Sequence, residues 1–302
     1  MNAPSEQAIL PGAIAIHAPA KLNLILAVTG LRPDGFHNLL SLVAPLAFGD
    51  TVWLAQSSID HFSCSDPCLD TGPSNLVSKA LRIYRNISGY DQPLRVHLEK
   101  RIPIGSGFGG GSSDAVALLK AVNKLNPHPL DFSGLYRMAV EIGSDCALFL
   151  ETGPVWMEGR GESIHAAKPS LSEAIRGHRV LLFHPGFEVS TAWAYKALRG
   201  ESPDPYMSPE QAAALKSTID SSPSQWGSFI HNDLYPPVAN KFLAIPTLIR
   251  NLKRTHGLSA YMSGSGSGCF ALLTSEHEIS TIRKSVLEAW GPESFFEETT
   301  FM

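Results

Sequence analysis

Apolar residues along this chain recur at two different spacings, one typical of strands and one typical of helices. Residues 94–98 alternate apolar and polar side chains, and residues 180–183 form a continuous apolar run, which predicts two strands. Residues 75–84 and 279–290 place apolar side chains three or four positions apart, which predicts two helices. Strands and helices follow one another without strict alternation, so the pattern favours an α+β fold.

The same two spacings predict the remaining elements and a domain boundary. Residues 168–177 mix proline, serine and charged residues, so we expect one domain over residues 1–167 and a second over residues 168–302. Further strands are predicted at 14–29 with a kink at Pro19, 51–54, 149–157, 259–262 and 269–273, and further helices at 114–125, 135–142, 210–216 and 242–252.

Composition narrows the class of protein. The chain of 302 residues is 44% hydrophobic and 17% charged, with a net charge of −4 and no stretch dense in Lys and Arg, so we expect no nucleic acid partner. The segment 1–12 lacks the basic and apolar regions of a signal peptide, and no run reaches the ~20 apolar residues of a membrane span. The four cysteines lack the spacing of a zinc site. We therefore expect a cytoplasmic protein with reduced thiols, no membrane association and no resident metal.

A glycine-rich segment at residues 103–115 carries the strongest chemical signal. Five of the seven residues from 105 to 111 are glycine, and each costs roughly 0.5–1 kcal/mol where an alanine would fit. The segment runs into a predicted helix, whose N–H groups and dipole favour a polyphosphate. We therefore predict a phosphate-binding loop, in which Ser112 or Ser113 caps the helix and offers its hydroxyl to a phosphate or to Mg²⁺.

Other glycine-rich sites are alternatives at this point. Gly105, Gly107 and Gly110 fit the G-x-G-x-x-G pattern of dinucleotide folds, but no strand with an acidic residue follows about 20 positions later. The chain has no lysine after the glycines, as a P-loop NTPase needs, and no H-R-D or D-F-G motif of protein kinases. A purely structural glycine loop is a further alternative.

Two other segments place a charge beside small or amide side chains. Lys21 and Asn23 stand two positions apart, so they share a face if the segment is extended. Asp145 lies between Ser144 and Cys146 at the end of a predicted helix. Each charge, taken alone, has an ordinary alternative as a surface residue.

Taken in order, these segments resemble the motifs of the GHMP kinases, and among them the family that acts on 4-diphosphocytidyl-2-C-methyl-D-erythritol. The chain departs from that family at Phe108, where Leu is usual, at residues 146–148, where Val-Pro-Phe is usual, and at residues 235–237. The resembling segments are 18–24, 32–37, 103–115, 143–145, 159–162, 231–234 and 262–267.

The resemblance implies a fold, a reaction and a set of residues. It implies an α+β fold of two GHMP domains with the active site in the cleft between them. It also implies transfer of the γ-phosphoryl group of ATP, with Mg²⁺, to the 2-hydroxyl of 4-diphosphocytidyl-2-C-methyl-D-erythritol in the non-mevalonate isoprenoid pathway. The implied general base is Asp145, assisted by Lys21. The implied ATP-binding residues are Pro103, Ile104, Gly105, Ser106, Gly107, Phe108, Gly109, Gly110, Gly111, Ser112 and Ser113, with Lys100 and Asn75 beside the adenine.

The resemblance further implies a small-molecule substrate that carries cytidine diphosphate, bound by a monomer or homodimer. Phe36 and Tyr195 are expected to enclose the cytosine ring, and His37 to read its polar edge. Asn23, Ser265 and Gly266 complete the expected substrate-binding set. The alternatives are another GHMP kinase, such as a homoserine, mevalonate or sugar kinase, a catalytically silent GHMP-fold nucleotide-binding protein, and, more distantly, a dinucleotide-dependent oxidoreductase.

Overall fold

The structure is a computed structural model that describes residues 12–201 and 205–302. The expectation that residues 1–12 carry no signal peptide therefore concerns residues that lie almost wholly outside the described part. The strands are β1 Ile14–Leu31, β2 His37–Gln56, β3 His61–Cys64, β4 Leu94–Glu99, β5 Val155–Gly159, β6 Ser163–Ala166, β7 Arg179–His184, β8 His231–Asn232, β9 Ala260–Met262, β10 Cys269–Leu272 and β11 Phe295–Thr300. The helices are α1 Leu76–Ser88, α2 Gly110–Leu125, α3 Phe132–Ile142, α4 Pro169–Ile175, α5 Thr191–Glu201, α6 Pro209–Ser221, α7 Tyr235–Lys241, α8 Ala244–His256 and α9 Ile279–Trp290, with short 3-10 segments at Ala147–Leu150 and Pro223–Phe229.

This mixture of helices and strands confirms the α+β prediction. The chain divides into two compact units, and each is discontinuous in sequence. The first unit contains the residues before Lys21, Gly49–Ile102 and Gly109–Leu150; the second contains Lys21–Phe48, Pro103–Phe108 and Glu151–Met302. The expected domain boundary after residue 167 stays a prediction.

The first unit packs three helices with paired strands. Strand β3 runs parallel to β4, and β4 runs antiparallel to the second half of β2, with Val52 opposite Leu98. Helices α1, α2 and α3 contact one another. Helix α1 begins after Asn75, whose side chain accepts a hydrogen bond from the N–H of Val77, and ends at Gly89 in the left-handed region. These caps fix the ends of α1.

The second unit contains two groups of paired strands. The first half of β2 pairs with β5, β5 pairs with β6, and β1 runs parallel to β8 with Ile25 opposite His231. A four-stranded antiparallel sheet has the order β11-β7-β10-β9. Its core includes Phe183, Leu248 and Val286, all fully or almost fully buried. Helices α5, α7 and α8 pack in the same unit.

Strands β1 and β2 lie side by side and both pass from one unit into the other. We predicted a kink at Pro19, but β1 runs through this residue without interruption. The opposite strand supplies the reason, because a Cβ on Gly49 would lie only 2.3 Å from the carbonyl oxygen of Ala18 and 2.8 Å from the Cα of Pro19. Glycine therefore lets the two backbones approach at the proline.

Several other boundaries differ from the prediction. The predicted linker 168–177 contains helix α4, and the predicted strand 149–157 starts only at Val155, after the 3-10 segment Ala147–Leu150. Helix α2 starts four residues earlier than expected, at Gly110. The strands at 94–98, 180–183, 259–262 and 269–273 and the helix at 279–290 are confirmed within a residue or two. No helix in the described ranges has the length and apolar character needed to cross a membrane.

Candidate active site

The glycine-rich loop uses glycine where the backbone requires it. Gly105, Gly107 and Gly109 have φ angles of 68°, 80° and 77°. This left-handed region costs about 1–2 kcal/mol for any residue with a Cβ. The alternation of glycines at 105, 107 and 109 therefore follows from the backbone path.

In the second unit, the loop lies against the Ser-Gly segment 263–268. The N–H of Gly268 donates to the carbonyl of Ser106 at 2.9 Å. A Cβ on Gly107 would lie 2.6 Å from the carbonyl oxygen of Ser263, and a Cβ on Gly268 would lie 2.3 Å from that of Ser106. Glycine on both segments allows this close backbone contact.

In the first unit, the loop leads into helix α2. Gly109 is the N-cap, and no side chain in the described part of the chain caps the helix. Ser112 and Ser113 therefore lie within the first turn, and the prediction that one of them caps the helix is wrong, because the helix starts early and Ser113 N–H already bonds to Gly109 O at 3.0 Å. The hydroxyl of Ser113 is buried and finds no partner among residues 12–201 and 205–302. First-turn N–H groups without a side-chain cap form a site for an anion.

Asp145 follows helix α3 in the same unit. It is partly exposed, and its Oδ1 accepts a hydrogen bond of 3.3 Å from the hydroxyl of Ser144. The ammonium of Lys79 donates to the carbonyls of Glu141 and Ile142 and so holds the end of α3. The buried thiol of Cys146 lies close to the side chain of Ser112, which acts on its pKa. Asp145 is therefore next to a residue that contacts the first turn of α2.

Burial makes Cys146 unreactive. Burial raises the pKa of its thiol to about 11, and the side chain of Ser112 opposes this only in part. At pH 8 roughly one thiol in a thousand is then ionised, and the thiolate is the nucleophile. We expect iodoacetamide at pH 8 to label exposed Cys68 well before Cys146 in the folded protein. Peptide mass spectrometry over time checks this, and equal rates at the two cysteines would contradict it.

Lys21 and Asn23 lie in the second unit, beside the glycine-rich loop. Lys21 is 4% exposed. Its Nζ donates to Asn23 Oδ1 at 2.6 Å, and its backbone N–H donates to the carbonyl of Phe108 at 2.9 Å. Asn23 in turn donates from Nδ2 to Ser41 Oγ and from its backbone to Ser263 Oγ. The fold thus brings together Lys21, Asn23, the glycine-rich loop and the Ser-Gly segment.

Asn232 braces the Ser-Gly segment. Its Nδ2 donates to the carbonyls of Met262 and Gly264 at 2.8 and 2.9 Å, and its Oδ1 accepts from the N–H of Leu234. Further along the segment, the hydroxyls of Ser265 and Thr191 share a hydrogen bond of 2.8 Å. The sequence placed Asn232 in a family motif, but its role required the fold, because its partners lie about 30 residues away in the chain.

Removing the Asn232 amide should loosen this segment. Alanine removes all three hydrogen bonds, so Asn232→Ala should lower the free energy of unfolding by about 1.5–4.5 kcal/mol. Asn232→Asp should cost more at pH 7, because a carboxylate then faces two carbonyl oxygens. Urea unfolding measures both. Asn251→Ala, which loses an exposed hydrogen bond from Arg254, is the control and should cost less than about 0.5 kcal/mol.

An aromatic cluster occupies another part of the second unit. The rings of His37 and Tyr195 are stacked with centroids 4.9 Å apart, and Tyr206 lies edge-on to His37 at 5.8 Å. Burial, and secondarily Arg199, lowers the pKa of His37. The ring that stacks on Tyr195 is therefore the imidazole of His37. The enclosure of cytosine between Phe36 and Tyr195 stays a prediction.

Phe36 is 57% exposed, and the guanidinium of Arg160 lies 5.2 Å from its ring centroid. Sequence reasoning did not select Arg160 or Tyr206. Arg160 lies in segment 159–162, which resembles a family motif, so the sequence contained a signal that could have selected it. Tyr206 lies outside every motif, and only the fold reveals its contact with His37.

Lys100 and Asn75, both expected beside the adenine, make structural contacts in the first unit. Asn75 caps α1. Lys100 is 6% exposed and forms ion pairs with Asp50 and Asp114. A contact of either residue with ATP stays a prediction.

Comparison with known proteins gives a consistent result. The family model for the GHMP kinases N terminal domain matches residues 75–153, and the model for GHMP kinases C terminal matches residues 211–292. A 4-diphosphocytidyl-2-C-methyl-D-erythritol kinase of Methylacidiphilum infernorum is 37% identical, over 86% of each chain. A crystal structure of a 4-(cytidine 5'-diphospho)-2C-methyl-D-erythritol kinase superposes with a TM-score of 0.74 at 29% identity, covering 95% of this chain and 99% of the other. The homoserine kinase of Cytophaga hutchinsonii shares the fold, with a TM-score of 0.69 at 20% identity over 100% of this chain and 97% of its own.

Proposed function

Since the chain belongs to the 4-diphosphocytidyl-2-C-methyl-D-erythritol kinase family of the GHMP kinases, we propose that it transfers the γ-phosphoryl group of ATP to the 2-hydroxyl of 4-diphosphocytidyl-2-C-methyl-D-erythritol. The attacking hydroxyl loses its proton, and ADP leaves as the new phosphate ester forms. Catalysis of this reaction rests mainly on positioning the groups and neutralising spread negative charge.

The observation that carries the proposal is the arrangement in the first unit. Helix α2 starts after its N-cap Gly109, which has left-handed backbone, and Ser112 in its first turn lies close to Cys146. Asp145 is the neighbour of Cys146. Asp145 is thus one residue away from a contact with the phosphate-binding helix. This proximity supports Asp145 as the base that accepts the proton of the hydroxyl.

Lys21 supplies the positive charge in this proposal. Its ammonium is almost fully buried and oriented by Asn23, and its backbone holds the carbonyl of Phe108. A buried and oriented ammonium interacts with developing negative charge more strongly than one in water. We propose that Lys21 assists catalysis by stabilising the negative charge of the transferring phosphoryl group.

The residues present fit ATP and its magnesium ion. The uncapped first turn of α2 offers N–H donors to phosphate oxygens, and the buried hydroxyl of Ser113 finds no partner among the described residues. Mg²⁺ binds oxygen and is commonly held through substrate phosphates together with few protein ligands. Hydroxyls of Ser112 and Ser113 would complete its protein ligands, and the ion would neutralise phosphate charge when bound.

The aromatic cluster supports recognition of a nucleobase. Because burial lowers the pKa of His37, its imidazole is neutral at physiological pH and offers one donor and one acceptor. Tyr195 and Phe36 offer ring faces, against which a base can stack. We propose that this cluster selects the cytidine end of the substrate.

An acceptor panel tests the function. ADP release from Mg-ATP should be stimulated by 4-diphosphocytidyl-2-C-methyl-D-erythritol and not by homoserine, mevalonate or galactose, and mass spectrometry should find one added phosphate. Turnover with another acceptor alone would replace the proposed substrate. Nucleotide binding without turnover on any acceptor would support a silent binding protein.

A further inference from the structure

Three charged side chains are buried together at the base of helix α2. The side chains of Asp50, Lys100 and Asp114 are 0%, 6% and 2% exposed. The ammonium of Lys100 is hydrogen-bonded to Asp50 Oδ2 and lies 3.3 Å from Asp114 Oδ2. Charges are rarely buried to this degree unless they are paired. We call these three residues the buried charge cluster, and all of them belong to the first unit.

The cluster holds the chain where it enters the glycine-rich loop. Asp50 Oδ1 accepts hydrogen bonds from the backbone N–H of Arg101 and from that of Ile102, the latter at 2.8 Å. Ile102 is the last residue of the first unit before the loop. The carboxylate of Asp50 therefore fixes this backbone directly, from strand β2.

The cluster also holds the chain where it leaves the loop. Asp114 lies in α2, one turn after its start at Gly110. A Cβ on Gly110 would lie 2.7 Å from Lys100 Nζ and 3.1 Å from Ile102 Cγ2. Lys100 thus packs directly against the first residue of the helix, and glycine at position 110 makes room for it. The ammonium of Lys100 therefore contacts Asp50, which binds the backbone before the loop, and lies beside Gly110 after the loop.

Burial and the neighbouring charges shift the pKa values of Asp114 and Lys100 in the same direction. Burial raises the pKa of Asp114 well above its usual value, and Lys100 opposes this only in part. Burial lowers the pKa of Lys100, but Asp114 and Asp50 more than offset this, so its pKa is raised. The thiol of Cys64 also interacts with Lys100 and Asp114.

We propose that Asp50, Lys100 and Asp114 are positioning residues that hold the two ends of the glycine-rich loop and thereby set the affinity for ATP. The inference rests on the proposed function, because it takes the loop to be the phosphate site. It assigns no contact of Asp50 or Asp114 with substrate. Their effect on ATP passes through the backbone at residues 102 and 110.

Two substitutions at Asp114 separate positioning from simple packing. Asp114→Leu removes the Oδ2 atom that faces Lys100, so we expect the Kd for Mg-ADP, measured by calorimetry on the full chain, to rise at least tenfold. Asp114→Asn keeps the size of the side chain and an oxygen for Lys100, so its Kd should stay within about threefold of wild type. In turnover assays, Asp114→Leu should raise KM for ATP while KM for the acceptor changes less than twofold.

A matched control removes another anchored ion pair of the same unit. Asp60 pairs with Arg85 and also accepts from the backbone N–H of Leu94, but it does not touch the loop ends. Asp60→Leu should lower the melting temperature with an unchanged Kd for Mg-ADP. If Asp114→Leu does not fold, Asp50→Asn, which weakens the hold on residues 101–102, should raise the Kd severalfold.

The calorimetric titration with Mg-ADP contains no acceptor, so its result does not depend on the identity of the acceptor. A wild type that binds Mg-ADP but shows no acceptor turnover contradicts the function and leaves the Kd comparison intact. An unchanged Kd in folded Asp114→Leu or Asp50→Asn overturns the positioning role. An equal rise in Asp60→Leu and Asp114→Leu also overturns it, because the effect is then one of general destabilisation.

Discussion

Asp145→Asn is expected to lower kcat by roughly 10²–10⁴-fold, with the Kd for Mg-ATP within about twofold of wild type. Asparagine has the same shape, but its amide cannot accept the proton of the attacking hydroxyl. The backbone around it should persist, because Lys79 holds the end of α3 through main-chain carbonyls. Binding of ATP depends on backbone groups and should be retained. Steady-state kinetics together with nucleotide calorimetry measure the two quantities separately.

Glu141→Gln provides the control for Asp145→Asn. Glu141 is an exposed carboxylate at the end of the same helix, four residues before Asp145, and its neutralisation should leave kcat within about twofold. A full kcat in Asp145→Asn would eliminate Asp145 as the base. A fall in nucleotide affinity that matched the fall in kcat would point to a disturbed loop instead.

Gly107→Ala should damage ATP use as severely as any single change in the loop. Alanine at φ 80° is strained by about 1–2 kcal/mol, and its Cβ would lie 2.6 Å from the carbonyl oxygen of Ser263. Backbone cannot move aside as a flexible side chain does, so the loop itself must shift. A displacement near 1 Å can cost on the order of 10²-fold, which we expect for kcat/KM with ATP.

Gly177→Ala is the matched control, because it separates backbone strain from the clash. Gly177 also has a positive φ of 75°, but no atom lies within 4 Å of its Cβ position. It should lose about 1–2 kcal/mol of unfolding free energy with an unchanged KM for ATP. A Gly107→Ala enzyme that loses stability to the same degree but keeps wild-type kcat/KM would show that the loop tolerates the shift.

The parts predictable from sequence were those with a local signal. Apolar spacing gave strands β4 and β7 and helix α9, and the run of glycines gave the loop. The start of α2 was placed too late, because glycines at 110 and 111 weaken a helical pattern. Glycine at position 110 is explained by the ammonium of Lys100 beside it, a contact that no local pattern contains.

The parts that sequence could not give depend on partners far apart in the chain. Lys100 was expected beside the adenine from the family resemblance, but its pairing with Asp50 joins residues 50 positions apart. The stacking of His37 on Tyr195 likewise joins two strongly separated segments. Periodicity indicates which face of a helix or strand is apolar, but it does not indicate which other element packs against that face.

The parallel pairing of β1 with β8 has a consequence for synthesis of the chain. Residues 22–28 of β1 are buried in the finished molecule, yet Ile25 pairs with His231. At ribosomal rates of 5–20 residues per second, β8 emerges roughly 10–40 s after β1. During that interval an apolar strand has an uncovered edge, which favours pairing with other nascent chains. We expect holdase chaperones to bind this segment during translation and to determine how much of the chain reaches the native state.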